Sequence, residues 1–531
     1  MSCRRASPLV LITLLLGGAI WAACAPDPPP TAIRTDGRFD DWETAAPVLT
    51  DPADAPPGAA IDLGVVRLAD DPWWIFLDVD VGRPVTPQAM RGTLHVLLDT
   101  DGEAATGGTV FDMPGVDVVI ELSRDAAARP GGIGAGNGLR VVTADGPGEL
   151  RSGYPVGLLV APTAAASRLE MRVSRLPAGD LPAIARGARI RVRLVFETPD
   201  GIVDRTETGE YAPARAAAAA PEPRYDQSTA KAAGTIRVVS WNISGQRMWD
   251  QAAAVHRVLA ALDPDVILLD EATASTTPSS LRRFFADGPL ASMGEWRAVV
   301  GLGGGRQHGV IATRAPIRAS PELLSVAYAS STLDELAARM GAAGAAALIP
   351  TERASGLATA GAWVTFQDRE ILFVPVDLQS GGYPGSPEDQ LRAVQATAIR
   401  DRVEETLRTA ARPAVVIGGD LNLVGSTEPL SRLRSGLGRG GTPLAVAPAY
   451  RLHDRSQATW RDPAGGAFTP GRLDYILYSG AVLAVDRAFP FDPEGLAPAR
   501  QAALGVEPDD ARVVSGHLPV VTDFRLRGGG R

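Results

Sequence analysis

Several polar residues between positions 242 and 517 of this 531-residue chain stand at the ends of apolar segments that are typical of β-strands. They are Asn242 in VVSWN, Glu271 in VILLDEA, Asp377 in VPVDL, Asp420 and Asn422 in VVIGGDLN, Asp474 in GRLDYIL and His517 in SGHLPVV. Taken singly, such residues are commonly turn formers or structural side chains. Together, at successive strand ends, they can converge on one rim as hard oxygen ligands suited to Mg²⁺ or Mn²⁺.

A layered α/β domain is needed to bring these residues together. Residues 235–527 alternate strand patterns such as TIRVVSWNI and PDVILLDEA with amphipathic helical segments such as QAAAVHRVLAAL. This alternation predicts sheets covered by helices, with the chemistry at the strand ends. Side chains alternate along a strand, so Asp420 and Asn422 should face the same way. We expect the two glycines before Asp420 to let the backbone approach a substrate phosphate closely.

The segments SWN, PDVILLDE, GDLN, RLDYIL and SGHLPV follow one another in this order along the chain. In this order they resemble the endonuclease/exonuclease/phosphatase superfamily, the deoxyribonuclease-I-like metal phosphoesterases. The resemblance spans essentially all of 235–527 and implies a four-layer α/β sandwich, with two packed sheets flanked by helices. It also implies that Glu271 is the principal metal ligand with Asn242 beside it, and that the cofactor is Mg²⁺ or Mn²⁺.

The same resemblance implies roles for other residues in the hydrolysis of a phosphodiester or phosphomonoester. Asp420 would orient or deprotonate the attacking water, and Asn422 would donate to a phosphoryl oxygen. His517, held by Asp474, would stabilise the pentacovalent state as a cation, because a carboxylate behind a histidine favours the imidazolium. Trp460, in ATWRD, is expected to form a wall of the cleft and contact substrate.

Two positions depart from the pattern of this family. Asp377 stands where the family usually has a histidine before leucine, and Gly516 stands where its usual SDH motif has a carboxylate. Either Asp377 is a relocated metal ligand that compensates for Gly516, or the enzyme is weakened or altered. A non-catalytic binding protein of the cell envelope is therefore the rival interpretation, and the intact set that includes Glu271, Asp420 and His517 argues against it.

Residues 31–211 have a different pattern, in which strands are separated by clusters of Gly, Pro and Asp. WWIFLDVDV (73–81), TLHVLLDTDG (93–102) and ARIRVRLVFE (188–197) predict an antiparallel β-sandwich. The segments DGRFDDW, DTDGEAATGG and GVDVVIEL resemble the sandwiches of the family-nine carbohydrate-binding-module-like or DOMON-like group. That resemblance implies a glycan as a partner of the N-terminal domain.

Asp99 and Asp101 lie in a turn of this N-terminal region, followed by Gly102 and Thr106. Their carboxylates have the hard oxygen chemistry that Ca²⁺ prefers. Aspartates at a polar hairpin tip also cap backbone amides without any ion. The sequence leaves both interpretations open.

Residues 1–24 have the layout of a secretory signal peptide, with two arginines, an apolar stretch and small residues before Cys24. Ala-Ala-Cys resembles a bacterial lipobox, in which the cysteine is acylated, although Trp21 stands where leucine is usual. Cys3 and Cys24 are the two cysteines of the chain, so no disulfide is available downstream of the leader. We therefore expect export, either with a lipid anchor at Cys24 in the bacterial cell envelope or by simple secretion.

Charge and composition limit the classes of substrate that the protein is expected to bind. The formal net charge is −9, so the chain has no global basic field for gripping a polyanion, which disfavours a processive nuclease. The substrates left open are extracellular nucleic acid, phospholipid head groups, and sugar or inositol phosphates. Residues 212–234, rich in Ala and Pro, are predicted to link the two domains. No obligate protein partner is evident.

Overall fold

The structure is a computed structural model that describes residues 33–87, 90–123, 136–176, 189–214, 216, 228–410, 413–463 and 468–527. The predicted leader, Cys24 and most of the predicted linker lie outside these residues. Within the described ranges, no helix is long and apolar enough to cross a membrane. Residues Ile33–Arg531 form one compact unit, and the division of the chain at 212–234 stays a prediction.

The N-terminal region consists of antiparallel strands and short 3-10 turns at Asp40–Trp42 and Tyr154–Val156. The strands are β1 (Pro47–Thr50), β2 (Val65–Asp70), β3 (Trp74–Val85), β4 (Thr93–Asp99), β5 (Gly108–Val110), β6 (Met113–Val116), β7 (Val118–Ser123), β8 (Gly136–Thr143), β9 (Gly146–Pro147), β10 (Arg151–Ser152), β11 (Leu159–Ala161), β12 (Ala166–Ser174), β13 (Ile190–Thr198), β14 (Gly201–Arg205) and β15 (Gly209–Tyr211).

All of these strands except β5 and β6 form two packed sheets, as the sequence predicts, and β5 and β6 pair with each other. One sheet has the order β1-β2-β3-β12-β11, and the other has the order β10-β8-β7-β4-β13-β14, with β15 beside β13 and β9 beside β8. Leu77 and Val79 of β3 share one buried core with Leu94 and Val96 of β4. Their spacing of two residues places each pair on one face of its strand, and burial of that face holds the sheets together.

The C-terminal region alternates strands and helices. Its strands are β16 (Ile236–Asn242), β17 (Val266–Thr273), β18 (Arg297–Val300), β19 (Gln307–Thr313), β20 (Ile317–Ala319), β21 (Ala362–Phe366), β22 (Arg369–Asp377), β23 (Val415–Asp420), β24 (Ala445–Val446), β25 (Asp474–Tyr478), β26 (Leu483–Pro490) and β27 (Val520–Leu526). Its helices are α1 (Arg247–Asp250), α2 (Ala252–Leu262), α3 (Pro278–Phe285), α4 (Pro321–Leu324), α5 (Ser330–Ser355), α6 (Pro387–Arg408), α7 (Glu428–Arg434), α8 (Pro498–Leu504) and α9 (Asp510–Val514), with 3-10 turns at Gly288–Met293, Arg439–Gly441 and Pro493–Gly495.

Two sheets pack face to face in this region. Their orders are β18-β19-β17-β16-β27-β26 and β20-β21-β22-β23-β25-β24. Val238 and Leu268 of the first sheet share a buried core with Phe373 and Val416 of the second. Because both faces of the central strands are covered, their sequences are almost continuously apolar until the polar residue at the end.

Helices cover the outer faces of both sheets. Val258 and Leu262 of α2 pack in one core with Ile267 of β17, and Ile399 of α6 packs in another with Val374 of β22. This gives the four-layer α/β sandwich that the sequence predicts.

Helix α6 begins where the sequence supplies both start signals. The Ser386 side chain accepts a hydrogen bond from the Asp389 backbone N–H, and Pro387 occupies the first turn, where its missing N–H costs nothing.

The sandwich and the α/β region are joined by hydrogen bonds and an ion pair. Arg172 of β12 donates to the carbonyl of Asp454 at 2.6 Å and to its carboxylate at 2.9 Å. The same guanidinium lies 4.3 Å from the ring centre of Trp74, so this tryptophan has a structural partner. Tyr450 donates to the carboxylate of Asp36 at 2.6 Å. These contacts hold the sandwich against the α/β region.

Candidate active site

Both sheets of the α/β region present polar side chains at one end. In the second sheet, Asp377 of β22 is paired with Asp420 of β23, and Asp420 is paired with Asp474 of β25. In the first sheet, Asn242 of β16 is paired with Asp270 of β17. Residues paired across neighbouring strands project from the same face of a sheet. The register therefore assembles a row of carboxylates that no single strand could provide.

Glu271 reaches this row because strand β17 is irregular beside it. The pairing of β17 with β19 shifts between Leu269 and Ala272, and Glu271 has a φ of 56°. A bulge of this kind redirects a side chain, and a left-handed non-glycine residue persists only where its surroundings hold it. The Nδ2 of Asn242 donates to Glu271 Oε1 at 2.9 Å, and the Ser244 N–H donates to Asn242 Oδ1. Asn242 thus orients Glu271.

His517 is held by Asp474, as the sequence resemblance implies. Nδ1 of His517 lies 2.9 Å from Asp474 Oδ2, and Nε2 lies 3.6 Å from Asp420 Oδ2. Burial lowers the pKa of His517, but Asp474 and Asp420 outweigh burial and raise it to about 10. The ring is therefore an imidazolium at neutral pH, with a proton on each nitrogen.

Thr459 is a positioning residue that sequence reasoning missed. Its hydroxyl donates to Asp474 Oδ2 at 2.6 Å and accepts from the backbone N–H groups of Leu473 and Asp474. It thereby fixes the carboxylate that orients His517. Nothing in the local sequence around ATWRD distinguishes this threonine from a surface residue, because its partners lie on a different strand.

Asp420 is 2% exposed and sits at the centre of the group. Burial raises its pKa, the neighbouring His517 lowers it, and Asp474 and Glu271 raise it further, to about 7. The Asn422 N–H donates to Asp420 Oδ1 at 2.8 Å, which fixes the orientation of the carboxyl group. A carboxyl group with a pKa near neutrality can both take and release a proton.

Asp270, in the segment PDVILLDE, is a further acidic residue of this group that the sequence motifs do not assign to the site. It is 1% exposed, and neither carboxylate oxygen has a hydrogen-bond partner among the described residues. Burial raises its pKa well above the usual range, and Asp377 and Asp474 raise it further. The available signal was an aspartate inside an apolar run, which is rarely buried without a partner.

The chemistry of this group fits a divalent cation. The pKa values of Asp270, Asp377 and Asp420 are raised by burial and by neighbouring carboxylates that include Glu271, with His517 as the cation beside them. The two unpartnered oxygens of Asp270 leave acceptor capacity that a metal ion would use. Ligand atoms of Asp420, Asp474 and His517 also lie within 4.8 Å of one another. Oxygen-rich sites of this kind suit Mg²⁺ or Mn²⁺.

The structure shows the surroundings of Asp377 and Gly516, the two residues that depart from the family pattern. Asp377 is half-buried, and burial followed by Asp420 and Glu271 raises its pKa well above the usual range. At Gly516 a Cβ atom would lie 2.9 Å from the Arg461 carbonyl and 3.1 Å from Trp460 Nε1. A larger residue at this position would displace Trp460, so glycine here is coupled to the placement of the tryptophan.

The two glycines before Asp420 allow close packing of the strands, and the expectation that they let the backbone approach a phosphate stays a prediction. A Cβ atom on Gly419, whose φ is 150°, would lie 1.8 Å from the carbonyl oxygen of Val376. One on Gly418 would lie 2.9 Å from the side chain of Leu268 in the other sheet. The glycines therefore allow β22, β23 and the facing sheet to approach closely.

The structure places Asp99 and Asp101 in the sandwich, apart from this group. Asp99 accepts from the Gly102 N–H at 2.7 Å and from Arg191 at 3.1 Å, and Asp101 accepts from the Glu103 N–H at 2.9 Å. These are the contacts expected of a capped turn. Carboxylate oxygens of Asp99, Asp101 and Asp117 also lie within 4.8 Å of one another, so calcium binding stays a prediction.

Some of the predicted site residues line a cavity of about 520 Å³, and Asn242, Asp377 and Asp474 are not among its lining residues. Its lining from the α/β region includes Glu271, Asp420, Asn422, Trp460 and His517. Trp460 also forms backbone bridges with Gly471 and His517, which fixes it at the wall of the cleft. The structure thus brings the separate strand-end residues together around one space, and the role of each in turnover stays a prediction.

Comparison with known proteins identifies the α/β region. The model of the Endonuclease/Exonuclease/phosphatase family matches residues 239–497. The C-terminal α/β region of this chain belongs to that family, as the sequence motifs predict, and the region is a phosphoric ester hydrolase. The match includes Glu271, Asp420 and Asp474 and ends before His517.

Solved structures with similar coordinates have low sequence identity to this chain. Humanized D. rerio TDP2 has 16% identity and a TM-score of 0.35, over 55% of this chain and 100% of that chain. The human nocturnin catalytic domain with bound sulfate has 16% identity and a TM-score of 0.36, over 56% and 97%. Beta toxin 275-280 from Staphylococcus aureus has 17% identity and a TM-score of 0.32, over 54% and 99%. No curated protein matches the sequence significantly.

Proposed function

We propose that this chain is an exported, divalent-metal-dependent hydrolase that cleaves a phosphodiester or a phosphomonoester. The observation that carries the proposal is the arrangement of His517 between Asp474 and Asp420, beside a cluster of buried carboxylates. Membership of residues 239–497 in a family of phosphoric ester hydrolases supports the same reaction class.

Asp420 and His517 have different roles in the proposed reaction. Asp420, with a pKa of about 7, takes a proton from the water whose oxygen bonds to phosphorus. The imidazolium of His517 faces the negative charge that develops on the phosphoryl oxygens. The bond from phosphorus to the ester oxygen breaks, and the leaving alcohol takes a proton from solvent. Asp420 returns its proton to solvent, so one water molecule is consumed per ester and the base is regenerated.

Asn422 retains one donor for substrate. Its Nδ2 donates to the Leu378 carbonyl at 2.8 Å, and an amide nitrogen carries two hydrogens. The second hydrogen is available to a phosphoryl oxygen at the same rim. The bond to Leu378 fixes the amide in position before substrate arrives, which favours charge stabilisation in the transition state.

Glu271, Asp377 and Asp270 would hold the metal ion, with Asn242 orienting Glu271. When bound, Mg²⁺ or Mn²⁺ neutralises anionic phosphoryl oxygens and polarises the phosphorus centre. Asp377 takes part as the relocated ligand that compensates for Gly516, because it is paired directly with Asp420.

Calorimetric titration of Mn²⁺ into the wild type and Asp377→Ala tests the assignment of Asp377. Loss of one carboxylate ligand should weaken Mn²⁺ binding by about 10-fold or more. Asp368→Ala, a change in an exposed turn between β21 and β22, serves as the control. Unchanged Mn²⁺ affinity in Asp377→Ala would contradict the relocation and favour a weakened or altered site.

Export and anchoring are proposed from the leader. Acylation at Cys24 would place the enzyme at the bacterial envelope, and its substrates would then be esters outside the cytoplasm. Labelling with a radioactive fatty acid in a bacterial host should mark the wild type and not Cys24→Ser. Label on neither protein, with both recovered from the medium, would indicate simple secretion.

Activity itself is tested with the purified chain in Mg²⁺, Mn²⁺ or Ca²⁺ against DNA, RNA, phospholipids and aryl phosphodiesters. Hydrolysis of at least one substrate should depend on metal and disappear in Glu271→Ala. Failure on every substrate would instead favour the rival, a binding protein with a glycan partner. Activity that survives in both Glu271→Ala and His517→Ala would contradict the assignment of the site.

A further inference from the structure

The cavity in front of the catalytic residues has a second wall, and that wall belongs to the N-terminal sandwich. Its lining residues from this region are Pro87, Asn137, Val160, Pro162 and Thr163. They come from the β8 and β11 strands and the loops beside β3 and β11. The sandwich is thus part of the boundary of the candidate active site.

Hydrogen bonds attach this wall to the rim of the α/β region. Thr163 Oγ1 accepts from the Arg472 N–H at 2.9 Å, and the Ala165 N–H donates to the Gly425 carbonyl at 2.8 Å. Tyr154 donates to the Phe468 carbonyl at 2.7 Å. Bonds on both sides of the cavity define the distance between its walls. A substrate must fit the space that they leave.

Asn137 is the residue of this wall with spare hydrogen-bonding capacity. It is 6% exposed, and its Nδ2 donates to Thr469 Oγ1 at 3.2 Å. Its Oδ1 is buried and has no partner among the residues that the structure describes. A buried amide oxygen without a partner is unfavourable, and a ligand hydroxyl would satisfy it once the Asn137 side chain turns towards the cavity that this residue lines.

The rest of the lining is largely apolar and uncharged outside the catalytic group. Val160 and Pro162 from the sandwich face the same cavity as Trp460, Phe468 and Leu473 from the α/β region. None of the described lining residues is a lysine or an arginine. Nucleic-acid grooves depend on such cations to bind the phosphate backbone, whereas apolar cavities of several hundred Å³ with a few polar groups bind small molecules.

We propose that the sandwich wall recognises the alcohol part of a small phosphate ester, which is compact, largely apolar and carries a hydroxyl group for Asn137. This rests on the proposed function, which places the phosphate at Asp420 and His517. Asn137 is a specificity-determining residue, and Val160 limits the size of the alcohol. A nucleic-acid duplex is the substrate that this wall disfavours.

Two matched esters test the role of Asn137. Glycerol 2-phosphate and isopropyl phosphate share one carbon skeleton and differ by two hydroxyl groups. With Mn²⁺, the wild type should have the higher kcat/KM for glycerol 2-phosphate, and Asn137→Ala should lower that value about 5-fold while leaving isopropyl phosphate unchanged. Ile202→Ala, at a side chain of the sandwich that is 48% exposed, is the control and should match the wild type.

A second variant tests the wall independently of hydrogen bonding. Val160→Trp should fill the cavity and lower kcat/KM for both small esters by at least about 10-fold. Its Mn²⁺ affinity should equal that of the wild type, because the metal site lies on the other wall. Normal Mn²⁺ affinity also shows that the α/β region of the variant is folded, and an unchanged denaturant midpoint shows the same for the sandwich.

The outcomes separate this inference from the proposed function. Metal-dependent cleavage of a 40-base-pair duplex in preference to both esters, or wild-type kinetics in both Asn137→Ala and Val160→Trp, overturns the role of the wall and leaves the hydrolase intact. If no ester or duplex is cleaved, binding of glycerol 2-phosphate to the wild type is measured by calorimetry. Binding that weakens when Asn137→Ala is added supports the wall and overturns the hydrolase, and absence of binding overturns both.

Discussion

The two walls of the cleft differ in charge and in the way their polar atoms are paired. On the α/β wall, Asp270 and Asp420 have raised pKa values, and His517 is the cation beside them. On the sandwich wall, Asn137 and Thr163 are uncharged and each has a partner on the rim of the α/β region. On the α/β wall, both carboxylate oxygens of Asp270 have no hydrogen-bond partner among the described residues. On the sandwich wall, the same is true of the amide oxygen of Asn137.

This difference indicates a division of work. Charge that is concentrated and poorly paired suits the activation of water and the stabilisation of a phosphoryl group. A neutral wall with one free polar atom suits discrimination between alcohols, because a hydrogen-bonding site rejects analogues that lack the group. The chemistry and the recognition of one substrate would then reside in different domains.

Substitution on the α/β wall should have the largest effect. His517→Gln removes the cation while keeping a hydrogen-bonding side chain, and we expect kcat for a small ester to fall roughly 10³-fold with little change in KM. Steady-state kinetics with Mn²⁺ measures this directly. A KM effect that exceeds the kcat effect would show that His517 contributes mainly to binding.

Removal of a contact between the sandwich and the α/β region should have an intermediate effect on turnover. Arg172→Ala removes one of the two guanidinium partners of the Asp454 carboxylate and leaves Arg451 3.6 Å away, and we expect a loss of about 2 kcal/mol in the free energy of unfolding. Denaturant titration measures the loss, with Arg189→Ala, in an exposed pair with Glu210, as the control. KM for glycerol 2-phosphate should also rise. Unchanged KM with lowered stability would mean that the sandwich stabilises the chain without shaping the cleft.

The smallest effect on turnover is expected from a charge buried inside the sandwich. Burial raises the pKa of Glu121, but hydrogen bonds from His95 and Arg140 and their charges outweigh it and lower the pKa from 4.5 to about 2. The carboxylate therefore contributes stability above pH 4.5 that is lost as the pH falls towards 2, about 3 kcal/mol in all.

Glu121→Gln should remove that acid-dependent component without changing kcat at neutral pH. Unfolding measured between pH 5 and pH 2.5 should show a shallower loss of stability than in the wild type. Glu103→Gln, at an exposed turn, should retain the wild-type slope. Equal slopes in all three proteins would contradict the assignment of this charge.

The two walls also differ in how far the sequence predicts them. The strand-end residues from Asn242 to His517 and both fold classes could be predicted, because short segments such as GDLN and SGHLPV record the ends of buried strands. The role of Asp270 was missed, since its lack of a partner depends on strands that are distant in the sequence. The sandwich wall was missed for the same reason: Asn137 meets Thr469 across more than 300 residues.

The glycines before Asp420 show the limit of local interpretation. Gly418 and Gly419 have the spacing expected of a backbone that approaches a ligand, yet their neighbours are Leu268 and Val376. Close packing between strands and close approach to a phosphate require the same residue type. A glycine in the sequence therefore predicts that another group lies close to the backbone, but it does not indicate whether that group is a neighbouring strand or a ligand.

The division of work between the walls is tested most directly by separating kcat from KM for glycerol 2-phosphate in Asn137→Ala and His517→Gln. We predict that Asn137→Ala raises KM about 5-fold at unchanged kcat, and that His517→Gln lowers kcat at nearly unchanged KM. A fall in kcat without a rise in KM for Asn137→Ala would place that residue in the chemistry and contradict the account.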